Sequence, residues 1–399
     1  MRVIINRQVT AGRPTGVGLY TAGLVRALRR LPGLEVERFP PRWLMNLAAL
    51  ARRARSLSAS SGGGSGASSG GSPWRRRLMG LLRRGGEALL LRRFRAACAG
   101  SRPDLYHEPN FIPLPSELPT VATVHDLSPL LHPEWHPADR AALYDRRFRE
   151  GLRQCSHVLA DSDCVRQEII QALGLPAERV TRAYVGIRPE LRPLPEDEVG
   201  RRLRAMGLPP RYLLYLGTIE PRKNVLRLLR VYCSLPETVR SRWPLLLVGG
   251  WGWNAADVAE YLHGEARHRG VMHLGYVADA DLPALYNGAR ALLYPSLYEG
   301  FGLPPVEMLA CGGAVLASTA GAVAETVGRQ AHLIPAEDED GWRAALLRVV
   351  ADDEWWRSLR QGAVEAARPY TWENCALATL GVYRKVCGVE GITEKPLAA

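Results

Sequence analysis

Eight short apolar runs are the feature that most restricts how this chain can fold. Each run spans three to five residues, and longer segments rich in Leu, Ala and Arg separate the runs. Runs of this kind are typical of parallel strands buried on both faces, and the segments between them predict crossover helices. The chain is therefore predicted to be α/β, with two doubly wound parallel sheets. The runs lie at 3–5, 121–124, 157–160, 212–216, 245–248, 271–274, 291–294 and 314–317.

The length of the chain, 399 residues, suits two such domains, because it is about two to three times the size of an ordinary domain. Proline and charge concentrate at 188–201, just before the second series of runs begins. We predict an N-terminal Rossmann-like domain over 1–190 and a C-terminal one over 191–370. A helix and tail over 371–399 can pack on either domain.

Positive charge is concentrated at one end of the chain. The whole chain carries +12, and residues 1–100, with 19 Arg and three Glu, carry +16. This distribution points to an anionic partner, whether phospholipid, nucleic acid or a phosphorylated substrate. A Gly/Ser loop at about 56–73 precedes a basic amphipathic segment at 74–95. That segment has the pattern of an interfacial membrane helix, and an ordinary surface helix with a solvated Arg face fits it equally.

The cysteines and the apolar content indicate a cellular compartment. Seven cysteines are widely spread and form no C-x-x-C pair, which is typical of reduced thiols in a cytoplasmic protein. No run approaches the roughly 18 apolar residues of a membrane span, and the first residues do not read as a signal peptide. We expect a soluble or peripheral protein at the cytoplasmic side of a membrane.

Two loops that follow predicted strands have the composition of anion-binding sites. Gly12, Gly16 and Gly18 open onto a helix, where backbone N–H groups can approach a phosphate, although such turns also carry glycine for geometry alone. Arg222 and Lys223 lie in a later loop of the same kind. There Arg222 can hold a diphosphate through a fork of donors and Lys223 as a point charge.

The segment 291–313 carries the strongest candidate site. A strand ends before Glu299, a Gly-Phe-Gly loop follows, and a helix predicted to begin near Pro304 has Glu307 on its first turn. Glu299 can accept hydrogen bonds from hydroxyls, the N–H groups of 301–303 can hold a phosphate, and Glu307 can bind a vicinal diol. A sugar linked through phosphates to a ribose fits this row. An acid at a helix start also suits the helix dipole with no ligand at all.

These motifs, in this order, resemble glycosyltransferase family 4, a family of retaining enzymes with the GT-B fold. Its hallmark is two glutamates separated by seven residues, matched by Glu299 and Glu307 in EGFGLPPVE. The segments GVGLYTAGLVRAL, TVHDLSPLLHPEWHP and EPRKN also match, and the last two look most like O-antigen and polysaccharide mannosyl- and rhamnosyltransferases. The resemblance implies two Rossmann-like domains that face a central crevice.

The resemblance also implies roles for particular residues. His125 and Glu299 are the implied catalytic residues, with His125 beside the transferred sugar and Glu299 on its hydroxyls. Other positions are implied to bind the diphosphate, the ribose and the base of the donor: Gly16, Arg222, Lys223, Tyr276, Val277, Phe301, Gly302, Leu303 and Glu307. Some relatives carry a second phosphate-binding arginine where this chain has Thr218, which leaves more of the charge to Arg222 and Lys223.

The implied reaction is transfer of a hexosyl group from a nucleotide diphosphate sugar, without a metal ion or other cofactor. A mannosyl group from GDP-mannose is the first expectation, and rhamnosyl or another hexosyl group from a GDP-, dTDP- or UDP-sugar is the alternative. The expected acceptor is a lipid-linked or polysaccharide saccharide of a cell-surface glycan. The expected location is the inner face of the cell membrane, at an anionic surface.

Features of three other kinds of protein also occur in the sequence. The sequence from Gly250 to Ala255 fits the nicotinamide fingerprint G-x-G-x-x-A, but no acidic residue ends the next strand. Two D-x-D pairs, beginning at Asp161 and Asp279, suggest a metal–diphosphate site, although such pairs also arise as helix caps. The basic N-terminal part suggests a non-catalytic nucleic-acid or anion-binding protein, but no nucleic-acid recognition motif accompanies it. We therefore expect no nucleic-acid partner.

Overall fold

The structure is a computed structural model that describes residues 1–10, 16–41, 43, 45 and 73–389. For 73–84 the description covers the backbone alone. The predicted Gly/Ser loop and Gly12 lie outside the described residues, apart from the last residue of that loop. The architecture is α/β with two six-stranded sheets, as the apolar runs predict.

The first sheet contains all three of the apolar runs that precede residue 200. Its strands are β1 (Arg2–Asn6), β2 (Glu35–Phe39), β3 (Leu105–Glu108), β4 (Thr120–Val124), β5 (His157–Ala160) and β6 (Val180–Arg182), in the order β2-β1-β3-β4-β5-β6. The pairings of β1 with β2, β1 with β3 and β3 with β4 are parallel, and Val3 lies opposite Val36 and Leu105.

The second sheet contains the other five runs. Its strands are β7 (Leu213–Leu216), β8 (Leu245–Val248), β9 (Val271–Gly275), β10 (Leu292–Tyr294), β11 (Val315–Ser318) and β12 (Ala331–Ile334), in the order β12-β11-β10-β7-β8-β9. All five pairings are parallel, and Leu292 lies opposite Val315 and Leu214. The chain crosses from β9 to β10 over two strands, β8 and β7, and β7 and β10 are neighbours, so their loops emerge side by side at their carboxyl ends.

Helices connect the strands, as crossover connections between parallel strands require. Up to β6 they are α1 (Gly16–Leu28), α2 (Pro73–Ser101), α3 (Ser128–Leu131), α4 (Ala138–Leu143), α5 (Arg149–Gln154) and α6 (Asp163–Leu173). Beyond β6 they are α7 (Glu196–Ala205), α8 (Val225–Cys233), α9 (Glu237–Arg242), α10 (Ala256–His263), α11 (Leu282–Gly288), α12 (Leu303–Ala310), α13 (Val323–Val327), α14 (Glu339–Ala351), α15 (Asp353–Arg360), α16 (Ala363–Ala367) and α17 (Trp372–Cys387). A π-helical turn, Tyr144–Phe148, joins α4 to α5.

Two compact units are formed by the contacts within the chain. The first holds the described residues of Met1–Val124, Glu150–Leu159 and Ala376–Thr393, and the second holds those of His125–Arg149 and Ala160–Cys375. The predicted domain bounds of 1–190, 191–370 and 371–399 stay a prediction.

The core of the first unit includes an aromatic cluster that fixes α2. The Phe94 ring lies 5.2 Å from that of Phe39 and 4.7 Å from that of Tyr106, between centroids. The last helix also joins this unit, because the Tyr383 hydroxyl lies 2.6 Å from Nδ1 of buried His107. The sequence left open which domain the C-terminal helix packs on, and this contact answers the question for its later turns.

The second unit buries the strands of its sheet under helices on both faces. Leu213, Leu247 and Leu293 are fully buried, and Trp342 of α14 closes one side of this core. All seven cysteines are free thiols, and four of them, Cys155, Cys233, Cys311 and Cys375, are buried. The four buried cysteines therefore contribute to packing.

Candidate active site

The loops after β7 and β10 bring three predicted site residues into contact. Lys223 ends the short 3₁₀ turn Pro221–Lys223, and its Nζ donates to Oε1 of Glu299 at 2.5 Å. Arg222 donates from Nη1 to the other oxygen, Oε2, at 3.0 Å. The Tyr294 hydroxyl, at the end of β10, also donates to Oε1 at 2.7 Å. Both oxygens of the Glu299 carboxylate are therefore held by donors from neighbouring strand ends.

Burial and charge determine the ionisation of this cluster. Burial opposes ionisation of Glu299, which is 5% exposed, but Lys223 and Arg222 outweigh it and lower the pKa of Glu299 to about 2. Burial and the neighbouring Arg222 lower the pKa of Lys223. The Lys223 ammonium therefore depends on the Glu299 carboxylate for its stability as a charged group.

The loop that follows Glu299 has its carbonyl groups bonded within the protein and its backbone N–H groups without a described acceptor. Its carbonyl groups are taken, since Ser162 Oγ donates to the Gly300 oxygen at 2.7 Å and Thr326 Oγ1 donates to the Phe301 oxygen at 2.9 Å. Within the described residues, no protein acceptor receives the N–H groups of 301–303. Gly302 has φ +86°, a backbone conformation that favours glycine. Successive unpaired N–H groups at the start of α12 form a concave site suited to an anion.

Glu307 lies deeper in α12 than the sequence suggests. The helix begins at Leu303, so Glu307 is its fifth residue, and the prediction of a first-turn acid is wrong. Its carboxylate is 3% exposed and accepts from the Tyr286 hydroxyl at 2.7 Å and from Nη1 of Arg188. Burial raises the pKa of Glu307 despite the positive charge of Arg188. Specific partners, and not the helix dipole, hold this acid in place.

Arg188 connects Glu307 to the loop that contains Tyr276 and Val277. Its Nη2 lies 3.4 Å from Oδ1 of Asp279, which is two residues beyond Val277. Tyr276 directly follows β9 and is half exposed, while Val277 is partly buried. Arg188 thus links Glu307, the predicted ribose-binding residue, to the loop that carries the predicted base-binding residues.

His125 and Gly16 complete the predicted set. His125 directly follows β4, and its Nδ1 lies 2.6 Å from Oδ2 of Asp161. Its carbonyl oxygen is packed so closely on Gly300 that a side chain at position 300 would collide with it. Gly16 is the first residue of α1 and belongs to the other compact unit.

The competing motifs are engaged in other ways. Of the first D-x-D pair, Asp161 contacts His125, while Asp163 pairs with Arg182 at 2.5 Å. In the G-x-G-x-x-A segment, Nε1 of Trp253 donates to the Trp135 carbonyl at 2.7 Å, so this tryptophan closes a loop contact at the surface.

Sequence reasoning missed several residues that shape the site. In the sequence, Arg188 belongs to a charged, proline-rich boundary segment, and Asp161 is half of a possible metal motif. The remaining ones are polar side chains at or beyond the ends of apolar segments, namely Tyr286, Tyr294, Ser162 and Thr326. For Tyr294 and Asp161, position at the carboxyl end of a buried strand was the available signal.

Among the helices that the structure describes, none combines the length and the apolar content that a bilayer-crossing helix needs.

Comparisons with known protein families match both parts of the chain. A family model described as Glycosyl transferases group 1 matches residues 204–368, and one described as Glycosyltransferase Family 4 matches residues 14–191. The chain is 36% identical over 282 residues to O-antigen chain mannosyltransferase B of Escherichia coli, a match that covers 70% of this chain and 74% of that protein.

Two further similarities extend the comparison. The serotype-specific mannosyltransferase WbdA of Escherichia coli is 29% identical over 273 residues, and the match covers 64% of this chain but only 32% of that much longer protein. Among solved structures, Anabaena Alr3699/HepE in complex with UDP-glucose superimposes with a TM-score of 0.69 at 19% identity, covering 96% of this chain and 100% of the other. At that identity the likeness establishes a shared fold.

Proposed function

The chain belongs to glycosyltransferase family 4, and from that premise we propose that it transfers a mannosyl group from GDP-mannose to a growing cell-surface saccharide. Its enzymatic class, a glycosyltransferase acting in glycan biosynthesis, follows from the family. The name of the 36% identical relative, an O-antigen chain mannosyltransferase, supports the choice of sugar. Rhamnosyl or another hexosyl group, from a GDP-, dTDP- or UDP-sugar, is the alternative.

The observation that carries the proposal is the contact of Arg222, Lys223 and Glu299 next to the unpaired N–H groups of 301–303. Two cations and a row of donors suit a diphosphate, and a carboxylate beside them suits the hydroxyls of a sugar. In the proposed complex the diphosphate draws Arg222 and Lys223 toward itself, and the oxygens of Glu299 become available to the sugar. The buried charges of the cluster can therefore rearrange when the donor binds. The negative charge of the diphosphate is then neutralised by cations that are already in the site.

The proposed chemistry breaks the bond between the anomeric carbon and the phosphate oxygen. The acceptor hydroxyl oxygen forms the new bond to that carbon on the same face, and its proton passes to the departing diphosphate. Arg222, Lys223 and the N–H groups of 301–303 stabilise the negative charge that develops on the leaving group. In this scheme the protein needs no carboxylate as a general base, no metal ion and no further cofactor.

Glu307 is proposed to bind the ribose hydroxyls of the donor. Each of its oxygens already accepts one hydrogen bond, and a carboxylate oxygen has a second lone pair with which to accept another. Tyr276 and Val277 are proposed to border the base, and Gly16 is proposed to bind the phosphates.

The acceptor is proposed to be lipid-linked and to lie at the anionic inner face of the cell membrane. The support is the basic N-terminal part of the chain, including exposed Arg92 and Arg93 on α2 beside Leu89, which is 51% exposed. A polybasic surface is attracted to anionic lipid, which would bring the enzyme to its acceptor.

The test is a thermal-shift titration of the purified protein with GDP, UDP, ADP and dTDP, followed by a transfer assay with the matching sugar nucleotide. A ligand that binds the native state raises the Tm by mass action. We expect GDP to raise it, and Glu307→Ala and Lys223→Ala each to lose that rise, measured against each variant's own Tm. Lys385→Ala is the matched control, because it removes an exposed lysine from α17 and should keep the full response.

Each outcome has a definite meaning. A rise with UDP or dTDP in place of GDP would replace the donor and keep the transferase site. No rise with any nucleotide at millimolar concentration, or an equal rise in the Glu307 and Lys223 variants, would contradict the proposed donor site.

A further inference from the structure

We propose that Asp161 is a positioning residue that fixes the ring tautomer of His125, so that Nδ1 carries the proton and Nε2 presents a lone pair to a hydroxyl of the transferred sugar. The inference deepens the proposed function, since it rests on His125 lying beside that sugar.

The pair has the geometry of a tight hydrogen bond. Nδ1 of His125 lies 2.6 Å from Oδ2 of Asp161, and the two side chains are 11% and 5% exposed. A carboxylate accepts a proton and does not donate one, so the ring nitrogen that faces it must carry the hydrogen. In a neutral imidazole the other nitrogen is then an acceptor, which is the atom able to receive a hydrogen bond from a hydroxyl.

The contact with His125 is the one side-chain hydrogen bond of Asp161 among the described residues. Its second oxygen, Oδ1, is buried and has no hydrogen-bond partner among the residues that the structure describes. Burial raises the pKa of Asp161 even with His125 beside it. A buried carboxylate with one bonded oxygen costs stability. An Asp at this position therefore stabilises the fold poorly and is well suited to orienting a ring.

Both members of the pair are fastened to the loop that carries Glu299. Ser162, the next residue after Asp161, donates to the Gly300 oxygen at 2.7 Å. The carbonyl of His125 packs directly on the same Gly300. These contacts fix the position of the His125 and Asp161 backbones relative to the Glu299 loop. We therefore expect a change in the ring orientation to alter contacts to the sugar and to leave contacts to the rest of the donor unchanged.

The chemistry of Asp161→Asn makes the proposal testable. Asparagine has nearly the same shape, but its amide can accept a hydrogen bond or donate one, so it no longer dictates which ring nitrogen is protonated. The fold should tolerate the change, and the tautomer should become mixed.

The first measurement is ¹⁵N NMR of the full chain labelled at histidine, without substrate, with the His125 signals identified by their loss in His125→Asn. In the wild type we expect His125 to be protonated at Nδ1 and not at Nε2 when neutral. In Asp161→Asn we expect intermediate shifts that report both tautomers. Asp163→Asn is the matched control, two residues away, and should leave the His125 signals unchanged.

The second measurement is steady-state transfer with the sugar nucleotide identified by the binding screen. We expect kcat of Asp161→Asn to fall roughly tenfold to a hundredfold, as for other residues that orient a functional histidine, with KM for the donor nearly unchanged. A structural role would instead lower the Tm and raise KM. Asp163→Asn should keep both constants.

The two measurements separate the failure of this inference from failure of the proposed function. A wild-type His125 protonated at Nε2, or an unchanged tautomer in Asp161→Asn, overturns the positioning role whatever the activity. A fixed tautomer that becomes mixed in the variant, with transfer unaffected, overturns the link to catalysis. A wild type that binds no sugar nucleotide overturns the proposed function, while the NMR result still decides what Asp161 does to the ring.

Discussion

Glu299 and Lys223 form an ion pair that differs from an ordinary surface pair in its burial. Both are buried, and each neutralises the other at 2.5 Å. Breaking such a pair from one side leaves an uncompensated charge in the interior, which typically costs about 3–5 kcal/mol. Removing both charges together avoids that cost. This asymmetry separates a buried pair from the exposed ion pairs elsewhere on this chain, which contribute little.

Lys223→Met is therefore expected to lower the Tm in the absence of ligand by several degrees. The double variant Lys223→Met, Glu299→Gln should recover most of the loss, because it leaves no buried carboxylate without its main partner. Differential scanning fluorimetry at pH 7 measures both. Arg222 keeps one contact to position 299 in each variant, so the comparison isolates the lysine. Equal Tm values for the single and double variants would contradict the coupling.

The sign of the pH dependence follows from the pKa of Glu299. The folded-state pKa is lowered to about 2, against about 4.3 for an unperturbed glutamate. The stability contributed by this depression is present above the unfolded value and is lost as the pH falls toward the folded one. Glu299→Gln should for this reason be less sensitive to acid than the wild type between about pH 4 and 2.

The loop between Glu299 and α12 is the element on which the donor site depends. Its path requires a glycine at 300, because any side chain there would meet the carbonyl oxygen of His125. Ser162 and Thr326 hold the carbonyl groups of residues 300 and 301, and the N–H groups of 301–303 have no acceptor among the described residues. The loop is thus shaped by residues far away in sequence.

Gly300→Ala is expected to displace this loop and to abolish the nucleotide-dependent rise in Tm while most of the unit stays folded. Gly250→Ala is the matched control, because a methyl group at 250 meets nothing within 4 Å. Thermal shift with the stabilising nucleotide and circular dichroism of the free protein provide the measurements. A Gly300→Ala protein whose Tm rises with nucleotide as much as that of the wild type would contradict the requirement for glycine at position 300.

The strands illustrate how far a sequence alone specifies such elements. Each of the eight apolar runs matches a strand to within one residue. Seven of these strands, all but β9, lie in the interior of their sheet, where parallel strands are apolar on both faces. Four strands carried no such signal, and three of them, β2, β6 and β12, are at sheet edges, where one side is less buried. The fourth, β3, contains buried His107, which is satisfied by Tyr383 from the far end of the chain. No local pattern can reveal such a partner.

The residues of the candidate site also differ in whether the sequence alone can predict them. Arg222, Lys223 and Glu299 were predictable, because charged residues at the carboxyl ends of parallel strands converge at one edge of the sheet. Arg188 was not, since it reaches Glu307 from 119 residues away and sits in a segment that reads as a boundary. The role of Asp161 depends on the position of one ring, which only the three-dimensional arrangement provides.

At the scale of the whole molecule, charge is distributed unevenly along the chain. Residues 1–100 have a net charge of +16, whereas the whole chain has a net charge of +12, so the remaining residues are net negative. In the described part of α2, Phe94 packs into the core of the first unit while Arg92 and Arg93 face outward. Leu89, three and four residues before these arginines, lies on the same exposed side. Both interpretations of this segment, an interfacial membrane helix and an ordinary surface helix with a solvated Arg face, accommodate these packed and exposed sides.

Arg92→Ser, Arg93→Ser is therefore expected to weaken binding to vesicles that contain anionic lipid. Each arginine near such a surface contributes about 1 kcal/mol, so the double variant should partition about thirtyfold less. Sedimentation with phosphatidylglycerol-containing vesicles at moderate salt measures it, and vesicles of neutral lipid provide the baseline. Arg201→Ser, Arg204→Ser removes the same charge from exposed positions on α7, in the other unit, and should bind as the wild type does.

The salt dependence decides whether charge or the apolar stripe drives this binding. Electrostatic attraction to the surface falls off within a Debye length, so raising the salt from 0.1 to 1 M should remove most of the wild-type binding and most of the difference between the variants. Leu89→Ser should then weaken the salt-resistant remainder, because it removes apolar area and no charge. Two results would contradict this docking face: equal binding of the wild type to neutral and anionic vesicles, or an equal loss of binding in the α7 and α2 variants. In either case the uneven charge of the chain would act without a defined membrane contact at Arg92 and Arg93.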